Sequence, residues 1–130
     1  MKLNYLKKQA GLTLIEVTLV IAVLLGLISV LFIGVSAYRE GSNRAKCILN
    51  ISNVQKAVRS YQNLYELTPT TSSLASTDII GTGRMLETSP SCGSGGSYTF
   101  GSVVPAVGTA YASCSLAATL NHVPTSLTGW

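Results

Sequence analysis

Charge is scarce in this chain: Asp, Glu, Lys and Arg make up 11% of the 130 residues. From Thr68 to Trp130 the formal charges are Asp78, Arg84 and Glu87. A hard cation such as calcium needs several oxygen ligands, and two carboxylates do not supply them, so no metal is expected. Histidine is scarcer still. His122 is the single one, and nothing in the sequence supplies an acid to orient it beside Cys92 or Cys114 as nucleophile. It reads as a solvated or packing residue, and the chain as no enzyme and in need of no cofactor.

A dense basic patch is missing as well. The net charge of +4 includes Lys2, Lys7 and Lys8, which precede the apolar run; the rest of the chain carries six basic and five acidic residues. Nucleic acid is therefore not an expected partner. The glycine-rich run Cys92-Gly93-Ser94-Gly95-Gly96 lacks the Lys-Ser/Thr ending and the strand-to-helix setting of a phosphate-binding loop. Three cysteines, Cys47, Cys92 and Cys114, allow one bridge, with three choices of pair and one thiol left over.

What the chain does have is a long apolar run. From Val17 to Val35 no residue is charged, and ~19 helical residues span ~28 Å, about the thickness of a bilayer's hydrocarbon core. Lys7 and Lys8 stand just ahead, which favours a cytoplasmic N-terminus and an exported C-terminus. Three readings fit such a start. A secretory signal peptide finds a small-x-small site at Val35-Ser36-Ala37, but the run exceeds the usual h-region of ~7–15 residues. An uncleaved signal anchor explains the length and leaves Glu16 without a purpose.

The third reading rests on Lys7-Lys8-Gln9-Ala10-Gly11-Leu12-Thr13-Leu14-Ile15-Glu16-Val17, which resembles the processing site of type IV prepilins and type II secretion pseudopilins. The resemblance implies a prepilin peptidase/methyltransferase that cuts between Gly11 and Leu12 and methylates the new amine of Leu12. Leu12 stands where phenylalanine is commonest in that family. Lys7 and Lys8 would hold the scissile bond at the cytoplasmic face, and glycine lets a protease approach the backbone closely. Glu16 falls at the family's fifth mature position, whose glutamate pairs with the amine of a neighbouring subunit. A carboxylate within a membrane helix costs ~2.5–3.5 kcal/mol at its centre and calls for a partner; that amine would be the partner.

Further along, Gly41 and Asn43 are candidate helix breakers. Cys47, Ile51, Val54, Val58, Tyr61 and Tyr65 then follow steps of three and four, the stripe of an amphipathic helix running to about Tyr65. Cys47 lies on that stripe and reads as a small apolar core residue. Thr68-Pro69 marks a stop. Leu74 to Ile80 and Arg84 to Thr88 read as short helical turns. The run Ser91 to Phe100 leads through a glycine-rich turn into a β-prone stretch, and Thr109 to Ser115 is a second. Paired as a hairpin, they would be closed by a candidate Cys92–Cys114 disulfide worth on the order of 3 kcal/mol for a loop of ~22 residues.

The expected architecture is an α+β, pilin-like fold: a long N-terminal helix over about 12–65, partly transmembrane, packed on a small C-terminal domain with a short β-hairpin. Its parts would be a leader at 1–11, an assembly segment at 12–38, an amphipathic segment at 39–67 and an exported globular region at 68–130. The resemblance implies a structural filament subunit, of a type IV pilus or a type II secretion pseudopilus. Its partners would be other pilin or pseudopilin subunits, an inner-membrane assembly platform and membrane lipid before assembly. It would start in the bacterial inner membrane and end in a periplasmic or cell-surface filament. The alternative is a membrane-anchored or secreted binding domain that does not polymerise.

Overall fold

The computed structural model describes Gly11 and residues 13–130; Lys7, Lys8 and Leu12 lie outside the described residues. The chain divides into two compact units with the boundary between Tyr38 and Arg39. One helix, α1 (Leu14–Leu64), runs for 51 residues and contributes to both. Gly41 and Asn43, candidate breakers within the long helix expected over about 12–65, are helical. A mid-helix glycine costs only ~1 kcal/mol, too little to interrupt a helix held by tertiary packing on its C-terminal side.

In the first unit, α1 exposes a continuous apolar surface: Leu14, Ile15, Leu19, Leu24, Leu25, Leu31, Phe32 and Ile33 are all largely uncovered. A helix apolar all round belongs in a core or a membrane. This one is near the N-terminus and long and apolar enough to cross a bilayer. The hydroxyls of Thr18, Ser29 and Ser36 are satisfied internally. Thr18 Oγ1 donates to the Ile15 carbonyl at 2.9 Å, Ser29 Oγ to Leu25 at 2.8 Å and Ser36 Oγ to Ile33 at 2.9 Å. Such local bonding meets the requirement that no polar group be left unpaired in lipid.

The second unit is built on the C-terminal part of α1. Cys47, Ile51, Val54 and Val58 are buried as the stripe required, Tyr61 is half-buried, and Tyr65 is exposed past the helix end. Leu67 N–H reaches back to the Gln62 carbonyl at 3.0 Å while Glu66 turns to φ 50°, a left-handed stop of the Schellman kind. Against Val54 and Val58 pack Leu74, Ile79, Val104, Tyr111 and Ala112.

Of the two expected helical turns, the first is present as α2 (Ser76–Ile79), where Asp78 Oδ2 accepts the Ala75 N–H at 2.9 Å. Arg84 to Thr88 is not helical. Gly81 N–H bonds to Leu86 O and Leu86 N–H to Ile79 O, so Gly81 and Gly83, both at positive φ, close a loop instead. The hairpin forms from β1 (Tyr98–Phe100) and β2 (Ala112–Cys114), antiparallel with Tyr98 opposite Cys114. Strand alternation turns Ala112 and Cys114 inward and Ser113 out.

Two helix side chains hold the segment between the strands. Gln55, buried, accepts the Tyr111 N–H at 2.8 Å and donates to the Thr109 carbonyl at 3.1 Å. Arg59 donates to the carbonyls of Pro105, Ala106 and Trp130 at 2.9–3.0 Å. Gln55→Leu roughly keeps the volume and removes both bonds, leaving the buried Tyr111 N–H and the part-buried Thr109 C=O without this partner. An expected loss of about 1–3 kcal/mol follows, read as a lowered midpoint in thermal or urea unfolding; an unchanged midpoint would show that the amide is not holding the loop.

Candidate functional site

Two groups of residues carry chemistry, one in each unit. In the first, Gly11 is exposed ahead of α1 and Thr13 Oγ1 accepts the Glu16 N–H at 3.3 Å. Glu16 lies in the first helical turn and is exposed, where the helix dipole favours a negative charge. Among the described residues no side chain pairs with its carboxylate.

The second group is one the sequence did not disclose. Cys47 from α1, Cys92 from the loop before β1, Cys114 from the end of β2 and His122 from the segment after it converge. Their ligating atoms all lie within 4.8 Å of one another, and all four residues are buried. The three thiols are free, so the expected Cys92–Cys114 bridge is not formed. The reason is geometric: the third thiol and the imidazole occupy the same pocket, and Cys92 Sγ stands 3.5 Å from His122 Nδ1. His122, read as a solvated or packing residue, is 0% exposed.

Local structure places each of them. The stripe puts Cys47 on the buried face of α1, and inward alternation does the same for Cys114. At Cys92 the glycine-rich run folds over the sulfur: the Ser94 and Gly96 N–H groups both donate to it, while Gly95, at φ 80°, returns its N–H to the Cys92 carbonyl at 3.1 Å. Glycine is needed on both sides of this turn. A Cβ on Gly96 would sit 3.1 Å from Cys114 Sγ and 2.9 Å from Leu116 Cγ, and one on Gly93 would strike the Asn43 side chain.

A surrounding layer of hydrogen bonds fixes the side chains. His122 Nε2–H donates to Glu40 Oε1 at 2.8 Å, since a carboxylate can only accept; Nδ1 is thereby left to face the sulfurs. Ser94 Oγ donates to the other Glu40 oxygen at 3.0 Å. Tyr98 donates its hydroxyl to Cys47 Sγ at 3.1 Å and accepts from Asn50 Nδ2 at 3.2 Å.

The electrostatics follow from these contacts. The His122 and Ser94 hydrogen bonds hold the Glu40 carboxyl below the usual range. Burial pushes the Cys47 thiol up to about 12. Burial acts the same way on Cys92, but the Ser94 and Gly96 N–H groups and His122 outweigh it and bring that thiol down to about 7. His122 is opposed by burial and raised on balance by Glu40 and Cys92. One sulfur is thus prepared for the thiolate form inside the protein.

Comparison of the chain with family models, curated proteins and solved structures returned no match. What the site can do is therefore argued from its own atoms. Cys92, His122 and Glu40 stand in the order nucleophile, base, orienting acid. Yet the thiol is buried and crowded by two further sulfurs, and the Ser94 and Gly96 N–H groups are directed at the sulfur itself rather than at a place for a substrate oxygen. The donor set is instead that of a soft-metal site, three thiols and one imidazole.

Proposed function

We propose that the chain is a non-enzymatic structural subunit of a type IV pilus-like or type II secretion pseudopilus filament, made as a precursor and anchored in the bacterial inner membrane by the N-terminal part of α1. The observation that carries this reading is a single carboxylate, Glu16, in the first turn of α1, just ahead of an uncharged, uncovered apolar stretch from Val17 to Val35. It stands five residues after a glycine preceded by two lysines. A membrane peptidase/methyltransferase would cut after Gly11 and methylate Leu12; a neighbouring subunit's amine would then neutralise Glu16 as the apolar helices pack together. The fold supports the reading, since an exposed apolar helix continues into one face of a small α+β unit.

The test is the intact mass and N-terminal sequence of protein recovered from membranes and from sheared surface material. A chain beginning at Leu12 with one added methyl group is expected in both. A chain beginning shortly after Ala37 would make this a secreted domain, and retention of Met1 would make it a simple anchor.

A further inference from the structure

We propose that Cys47, Cys92, Cys114 and His122 form a closed tetrahedral zinc site, ligated by the three Sγ atoms and His122 Nδ1, that fastens α1 to the hairpin and to the segment that follows it. The inference goes beyond filament assembly and does not depend on it.

Distances come first. Zinc binds sulfur at about 2.3 Å and imidazole nitrogen at about 2.0–2.1 Å, so tetrahedral ligands sit about 3.8 Å apart for two sulfurs and about 3.5 Å for sulfur and nitrogen. Cys92 Sγ and His122 Nδ1 are 3.5 Å apart, and the whole set falls within 4.8 Å. Small side-chain rotations bring four such atoms onto one ion. Four protein ligands, all buried, leave no open position, which is the arrangement of a structural rather than a catalytic zinc.

The surroundings match as independently. Metal-bound histidines give their second ring N–H to a carboxylate or carbonyl, which sets the tautomer and orientation; Glu40 does this here, and Ser94 holds Glu40. Backbone N–H groups from the Cys92-Gly93-Ser94-Gly95-Gly96 turn converge on one sulfur and the Tyr98 hydroxyl on another. These donors stabilise thiolates, and three thiolates on one Zn²⁺ leave a single net negative charge for them to share. Binding releases the three thiol protons to solvent, and the imidazole binds neutral. A bridge between any two cysteines would instead strand the third thiol against a fully buried histidine.

The test uses the full chain in detergent, purified without chelator or reductant. Expected are one zinc per chain by elemental analysis and, after exchange with Co²⁺, the visible and near-ultraviolet bands of tetrahedral thiolate coordination. Cys114→Ser should weaken the thiolate bands. Because that variant risks misfolding, Glu40→Gln is measured beside it. It removes no ligand, so it should keep the cobalt spectrum and lower zinc affinity about 10–100-fold in chelator competition. Substoichiometric zinc with a disulfide between any two of the three cysteines would overturn the proposal. So would three alkylatable thiols in a folded chain that shows no thiolate bands with cobalt.

Discussion

Glu16→Ala is expected to remove assembled filaments from the sheared fraction while the protein still inserts in the membrane and its second unit still folds. Glu16 belongs to neither hydrophobic cluster of the second unit, so no packing is lost there. In a bundle of apolar helices, however, each subunit amine would be left buried without its counter-charge, and breaking a buried pair costs about 3–5 kcal/mol. A loss of that size at every addition lowers each association constant roughly 150- to 4,000-fold. Glu16→Lys should be no better, because it sets like charges face to face. Filaments of normal abundance in both variants would refute the assembly role, whereas a wild-type chain that inserts and never polymerises would favour the anchored binding domain.

Tyr111→Ala is expected to be the most damaging single change within the second unit. The side chain is 3% exposed and lies in the cluster with Val54, Val58 and Ile79. Its hydroxyl donates to the Leu74 carbonyl at 2.8 Å, and its ring meets Phe100 with centroids 6.3 Å apart. Removing a buried aromatic of this kind costs about 3–5 kcal/mol, against a total stability of about 5–15 kcal/mol for a domain. The midpoint of thermal unfolding should fall by on the order of 15–30 °C. Tyr111→Phe keeps the ring and strands only the Leu74 carbonyl, so a loss of about 1–3 kcal/mol is expected. A Tyr111→Ala protein melting within a few degrees of wild type would mean that this cluster is not the core.

The long helix and the hairpin were legible because their signals are local and periodic. Steps of three and four marked the buried face from Cys47 to Val58, and β-prone residues beside glycines marked the stretches Ser91 to Phe100 and Thr109 to Ser115, within which the strands Tyr98–Phe100 and Ala112–Cys114 lie. Gly41 and Asn43, the candidate breakers, leave the helix intact because residue type predicts a break only where packing does not override it. Arg84 to Thr88 misled because two glycines at positive φ favour a loop over a turn of helix. The four-residue cluster was only partly legible. Cys47 was placed on the core face, but Cys92 and Cys114 were read as a candidate disulfide that is not formed, and the spacings of the three match no short metal-binding pattern. The missing link was His122, whose burial depends on Glu40, a helix residue 82 positions earlier. Taking the stripe together with the hairpin would have brought the three thiols to one place; nothing short of the tertiary structure adds the imidazole.

Those long sequence separations also set an order of events. Glu40 meets His122, Gln55 meets Tyr111 and Arg59 meets Ala106 only after dozens of intervening residues. Non-local contacts of this kind close slowly, because the loop entropy is spent before any contact forms. A chain threaded outward behind its own helix would present the apolar stripe from Cys47 to Val58 first and its covering partners last. Until the segment bearing His122 emerged, that stripe would stand uncovered, and a chaperone or the membrane surface would have an interval in which to hold it.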